Sequence, residues 1–310
     1  MIPLAIGVFF IYLSYQNTTP EDRLNINRYI KNADYRFVCL SAFFGILSYI
    51  SRAIRWKYLL APLGYHPKTI NSILAVLICY LSNLGIPRSG ELLRASTMSR
   101  YENIPFQKGF GTIIAERVID LILLMVCILF ALVIQYDLIV NNLNFEKLNF
   151  FQIGLSLFIL ASGFIIFRVF FLQSTHPSTY RIKKFFQGIW EGMISLKKIN
   201  NKEFFVAHTL FIWMMYILMF WIVKFSITET ASLGMNAMIP AFVIGGLSIS
   251  ATNGGIGIYP YSVSLVLVAY GVSNESSLAF GWIIWTCQTL IVVTFGAMAF
   301  FALPLVNRHK

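Results

Sequence analysis

Five stretches of this chain, residues 35–54, 109–136, 151–172, 204–225 and 278–306, are each at least 20 residues long and mostly apolar. A bilayer core about 30 Å thick is crossed by about 20 such residues wound into an α-helix. That constraint outweighs every other feature: the chain folds as helices in a membrane. Its make-up agrees, at 57% hydrophobic and only 12% charged residues, where soluble domains are about half apolar and about a quarter charged. A shorter run over residues 2–15 lacks the basic flank and small-residue cleavage site of a signal peptide. It reads as a first helix, clipped or tilted.

The formal charge of +11 would suggest nucleic acid as partner of a soluble protein. Here the enrichment of lysine and arginine in cytoplasmic loops accounts for it, so no nucleic-acid partner is expected. The stretch 52–68 carries Arg52, Arg55, Lys57 and Lys68 without an acid, and 173–203 is basic through Arg181, Lys183, Lys184, Lys197, Lys198 and Lys202. These belong inside, with the C-terminus, whereas the slightly acidic 137–149 belongs outside.

With these sides assigned, residues 69–108 begin and end on the same side. Their second arm, "GELLRASTMSRYENIPF", is too polar to face lipid, and irregular backbone at membrane depth persists only against protein or water. A re-entrant helical hairpin broken at Pro87 and Gly90 fits. A second hairpin of opposite orientation is expected over residues 236–272, turning at "ATNGGIGIYP". The expectation is therefore an all-α, polytopic protein of the inner or plasma membrane, with about six full spans and two re-entrant hairpins. Its halves, 1–136 and 151–306, would form an inverted repeat, an arrangement that puts transporter sites where broken helices meet.

Ionisable groups within spans cost about 2.5–3.5 kcal/mol each on insertion scales, which makes them functional candidates. Glu116, Arg117 and Asp120 lie in the run 109–136, with the two carboxylates four apart on one helix face. They serve either a site or a structural ion-pair network, since buried charges are paired in both cases. Arg88, Glu91 and Arg94 lie in the first hairpin. Guanidinium forks bind phosphate bidentately, so Arg88 and Arg94 mark an anion site that Glu116 and Asp120 would orient. In the second hairpin, Asn253, Gly254, Gly255 and Gly257 offer successive N–H groups for an anion-binding nest, or merely a tight turn. His208, near the inner end of its span, is read as a satisfied polar residue rather than a proton site.

No nucleophile motif, metal pair or nucleotide loop is present, so no catalytic residues, metal or cofactor are expected. The cysteines, Cys39, Cys79, Cys127 and Cys287, read as small buried apolar residues. The segment "RIKKFFQGIWEGMISLKK" puts Phe185, Phe186, Ile189, Trp190 and Met193 near one helical face. That face lies either in the headgroup layer or against the protein's own inner surface.

Taken together, Asn83, Pro87, Arg88, Gly90, Glu91 and Arg94, then Glu116-Arg117 and Asp120, resemble the membrane domain of the lysylphosphatidylglycerol synthase family. Arg55-Trp56 with Leu59-Leu60, and the late "GGIGIY", fit the same pattern. The resemblance implies a lipid flippase-like domain. In bifunctional members an aminoacyltransferase follows; this chain ends at Lys310, so synthase activity is not expected of it. Asn253 and Pro260 stand where the family pattern has proline and glutamate, which removes a carboxylate contact with a cationic headgroup and favours a plainly anionic lipid. Similar membrane domains accompany polyprenyl-phosphate glycosyltransferases, so the alternative is a non-transporting partner of a lipid-modifying enzyme. Acid–base work by Glu116 and Asp120 on a lipid phosphate is a third reading, and it lacks a second catalytic group.

Overall fold

The computed structural model describes residues 2–135 and 177–308. The expected span 151–172 and the acidic loop 137–149 lie outside them. Among the described residues the regular structure is all helical. It comprises α1 (Ile2–Gln16), α2 (Pro20–Asn32), α3 (Tyr35–Leu60), α4 (Thr69–Gly85), α5 (Ser89–Glu102) and α6 (Phe106–Ile134). Residues 177–308 contribute α7 (Pro177–Ile194), α8 (Lys202–Ile222), the single turn α9 (Thr228–Ala231), α10 (Met235–Ala251), α11 (Ile258–Ala269) and α12 (Asn274–Val306). Among the described residues α3, α6, α8 and α12 are long and apolar enough to cross a bilayer, and α1, α4, α10 and α11 are shorter apolar helices.

Residues 17–34 do not form an open loop. Thr19 Oγ1 accepts from the Asp22 N–H at 3.2 Å, Asp22 Oδ2 accepts from the Thr19 N–H at 2.7 Å, and Pro20 opens the helix. This reciprocal cap satisfies two of the N–H groups that α2 would otherwise leave bare. Asp34 then caps α3, its Oδ1 accepting from the Arg36 N–H.

Both hairpins form. At the first, Arg88 takes a left-handed conformation (φ 63°) and ends the break between α4 and α5. Gly90 lets the returning helix press onto the outgoing one: a Cβ there would lie 2.0 Å from the Cys79 carbonyl oxygen. At the second, a 3-10 turn (Asn253–Gly255) joins α10 to α11, with Gly254 at φ 63°. No L side chain adopts that φ cheaply. The space is also taken, since a Cβ on Gly254 would lie 2.4 Å from Leu84 Cδ2 at the end of α4. The two hairpin tips therefore touch.

The helices pack in a reciprocal pattern. The outgoing arm α4 rests on the final helix α12, while the outgoing arm α10 rests on α6. Each returning arm packs on the helix that follows it, α5 on α6 and α11 on α12. The central pair, α3 and α8, runs antiparallel: Ser41 donates to the Met219 carbonyl, Ser51 meets His208, and Tyr58 stacks by Phe204. At the far end of α12, Asn307 exchanges two amide hydrogen bonds with Asn71 of α4 (2.9 and 3.0 Å), and Asn71 also donates to Glu102. These bonds hold the base of the first hairpin to the end of the last helix.

The amphipathic segment is α7, and it packs against the protein's own surface. Gly188, Ile189 and Gly192 press on the start of α6, so closely that a Cβ on Gly192 would sit 2.5 Å from the Lys108 carbonyl oxygen and 2.8 Å from the Gly111 Cα. Trp190 points away and is exposed. One expectation is corrected. Cys79 and Cys287 are buried, but Cys39 is exposed on α3 and Cys127 only half-buried on α6. A thiol is apolar enough to stand on the outer face of a membrane helix, so its depth in the sequence does not force it into the core.

Candidate functional site

The site grows from a stripe on α3. Ser41, Gly45, Ser48, Arg52, Arg55 and Leu59 are all buried and fall three or four residues apart. A helix repeats about every 3.6 residues, so this otherwise apolar helix hides one small and polar seam. Arg52 and Arg55 end the seam and meet α6. Arg52 Nη1 donates to Glu116 Oε1 at 2.6 Å and to Asp120 Oδ2 at 2.7 Å. Arg55 Nη2 donates to Asp120 Oδ1 at 3.0 Å and lies 3.3 Å from Glu116 Oε1. The first hairpin contributes Arg94, whose two Nη atoms fork onto the Glu116 carboxylate at 3.3 and 3.1 Å.

Three guanidinium groups and two carboxylates thus share one cluster. Arg52, Arg55, Arg94 and Glu116 are at most 3% exposed. Charges so far from water persist only with close, well-aligned partners. Aromatic groups frame the cluster. The Arg94 guanidinium lies 3.8 Å from the centroid of the Trp56 ring, which itself donates to Thr112 Oγ1 at 2.9 Å. Arg52 Nη2 donates to the Tyr216 hydroxyl at 3.1 Å, and Tyr216 meets the Tyr80 hydroxyl at 3.2 Å. Tyr80 packs against Tyr49 one turn further along α3. The Nε atoms of Arg52, Arg55 and Arg94 are buried without a hydrogen-bond partner among the described residues.

A second ion pair flanks the cluster. Arg117 Nη2 donates to Glu91 Oε1 at 2.7 Å and ties α6 to α5. The side chain of Arg117 is 39% exposed, so this pair forms the open edge of the seam. The other Glu91 oxygen is buried without a partner among the described residues.

The structure brings Glu91, Arg94, Glu116, Arg117 and Asp120 together, with Glu116 on Arg94 as expected. Asp120, however, holds Arg52 and Arg55, and Glu91 turns to Arg117 rather than to Arg94. Arg88 stands exposed at the hairpin tip and forms no ion pair among the described residues. The Gly90 N–H at that tip is occupied by Asn83 Oδ1 at 2.8 Å. The turn of Asn253, Gly254, Gly255 and Gly257 lies elsewhere: it meets Leu84, and the Gly254 carbonyl accepts from Trp285 Nε1 at 2.9 Å. His208 is half-buried and satisfied by Ser51 at 2.8 Å. Among the described residues no group of three His, Cys, Asp or Glu side chains could hold a metal ion.

Sequence reasoning left Arg52 and Arg55 out of the site: both were counted as loop charges, and Arg55 entered only through the family pattern. The signal was present in the buried stripe above them, which continues in register through both arginines.

Comparison with known proteins bears on this arrangement. The chain is 24% identical over 280 residues to a UPF0104 membrane protein of Methanocaldococcus jannaschii, covering 86% of this chain and 76% of that one. It is 30% identical over 120 residues to Glycosyltransferase AglD of Haloferax volcanii, covering 38% of this chain but only 18% of the glycosyltransferase. No solved structure matches. Residues 1–296, and with them both hairpins and every residue of the arginine–carboxylate cluster, match the Lysylphosphatidylglycerol synthase TM region. The chain belongs to that family of membrane proteins.

Proposed function

We propose that this protein binds an anionic lipid by its headgroup and carries it across the membrane. The observation that supports the reading is the arginine cluster itself. It is a polar seam sunk in an apolar helical protein, built where the first hairpin returns, with donor N–H groups left unused. Arginine forks suit phosphate oxygens, and acyl chains would remain in the bilayer while the headgroup crosses the seam. Arg88 at the tip and the half-exposed Arg117 would meet the headgroup first.

The proposal includes the topology: about six spans, two re-entrant hairpins, and basic loops and C-terminus in the cytoplasm. It also includes an inverted repeat of the two halves. Exchanging α3 with α8, α4 with α10, α5 with α11 and α6 with α12 leaves the reciprocal packing unchanged. The antiparallel course of α3 and α8 is what an inverted, rather than a direct, repeat requires. Rocking of such halves would expose the seam to each side in turn.

The test is movement of fluorescent phosphatidylglycerol and polyprenyl phosphate in proteoliposomes, with Arg88→Gln as comparison. Arg88 is exposed and forms no ion pair among the described residues, so the variant should fold normally and lose most transport. Equal movement by the variant removes Arg88 from the path, and no movement of either lipid by folded native protein refutes the carrier. A second reading draws on the similarity to Glycosyltransferase AglD: a membrane partner for a lipid-pathway enzyme. It predicts that replacing Lys197, Lys198 and Lys202 abolishes enzyme association while Arg88→Gln leaves it intact.

A further inference from the structure

The buried cluster is not neutral. Arginine stays protonated in proteins, and each carboxylate is held between guanidinium groups at hydrogen-bond distance, as only its ionised form can be. Arg52, Arg55 and Arg94 against Glu116 and Asp120 leave a net charge of +1. The neighbouring pairs do not alter this sum: Arg117 with Glu91, and Lys108 with Glu191 at 3.4 Å, are each neutral. A buried charge without a counter-ion is strongly unfavourable. The three unpartnered Nε atoms belong to the same arginines, each at least 97% buried. Among the described residues uncompensated charge and unsatisfied donors coincide, which leaves room for one anion.

We propose that the missing counter-ion is a headgroup with a single negative charge, a phosphodiester, and that the cluster discriminates against phosphomonoesters by charge. This rests on the lipid-binding reading above and narrows it. A phosphodiester carries one charge at any ordinary pH and brings the cluster to zero. A phosphomonoester carries about −1.5 to −2 near neutrality, and its second charge would be left buried and unpaired. A zwitterionic headgroup leaves the +1 uncompensated. Lys, strongly hydrated and able to lose its proton, could adapt to either ligand; three arginines cannot. The count of carboxylates therefore sets the count of ligand charges.

The test is binding to the purified full chain in non-ionic detergent at about pH 8.5, well above a phosphomonoester's second pKa. The readout is the ligand-dependent rise in melting temperature. The probes are phosphatidylglycerol, phosphatidate, phosphatidylcholine and water-soluble glycerophosphoglycerol. The expected result is that phosphatidylglycerol binds at least about tenfold tighter than the other two lipids, about 1.4 kcal/mol of discrimination. Asp120→Asn raises the cluster to +2 and should move the preference to phosphatidate. Equal or tighter binding of phosphatidate by the native protein overturns the proposal without any variant. An Asp120→Asn protein that folds and still prefers phosphatidylglycerol overturns it as well. Glycerophosphoglycerol binding as tightly as the intact lipid overturns the lipid as its source. Selective binding without movement in vesicles would remove the transport reading and leave the charge assignment standing, and movement without selectivity would do the reverse.

Discussion

At the scale of single residues, Glu116 is the centre on which the structure depends. Three arginines from two other helices converge on its carboxylate, so Glu116→Gln raises the uncompensated charge of the interior from +1 to +2. Removing one partner of a buried pair costs about 3–5 kcal/mol. The variant should melt well below the native protein in detergent, as circular dichroism would read. A native-like melt would mean that water reaches the cluster. The candidate site was half legible in the sequence for a physical reason. Glu116, Arg117 and Asp120 interrupt a long apolar run, where any charge stands out. Arg52 and Arg55 lie near the end of α3, where basic residues ordinarily reach toward the headgroups. Only burial separates a paired arginine from one in solution, and burial depends on α6 and α5, far away in the chain.

At the scale of elements, helix breaks were easier to read than helix contacts. Pro87, Gly90 and the glycines at 254–257 disclose both hairpins because backbone chemistry is local. The role of α7 was not legible, since an aromatic face and a small-residue face occupy the same helix and only the partner decides between them. That partner is α6, reached through Gly111 and Gly192. Gly192→Leu should pry α7 away, and protease cleavage between residues 177 and 194 should then speed up severalfold in membranes. An unchanged digestion pattern would show that the glycine contact does not hold α7. A second junction is sensitive to acid. Glu229 of α9 is hydrogen-bonded by Tyr29 of α2 and by Ser273, which caps α12. The Ser276 and Tyr29 hydroxyls hold its carboxyl below the usual range. A folded-state pKa below the unfolded one gives stability that is complete above the ordinary carboxylate range and is lost as pH falls through the lowered value. The native protein should therefore lose melting temperature below about pH 4 more steeply than Glu229→Gln. Parallel curves would remove Glu229 as the cause.

For the whole molecule, membrane insertion follows directly from hydropathy, and family membership over residues 1–296 agrees. The pairing of the halves does not follow from sequence, because hydropathy gives each helix an orientation and not a neighbour. If the basic loops lie inside, single cysteines introduced at His66 and at Arg308 should react with an impermeant thiol reagent only after the membrane is opened. Reaction of either in sealed cells would invert the assigned sides.

The exchange of arms between the halves has a consequence during synthesis. The surface of α4 that Leu74 and Ile78 present to Ala299 and Leu303 cannot be covered until α12 is made. Between Gly85 and Asn274 the ribosome must add 189 residues, and at about 5–20 residues per second that takes about ten to forty seconds. Throughout that interval this face of α4 lacks the partner that covers it in the finished fold. A protein built this way depends on the insertion machinery, or another membrane chaperone, to shelter a half-built hairpin until its distant partner arrives.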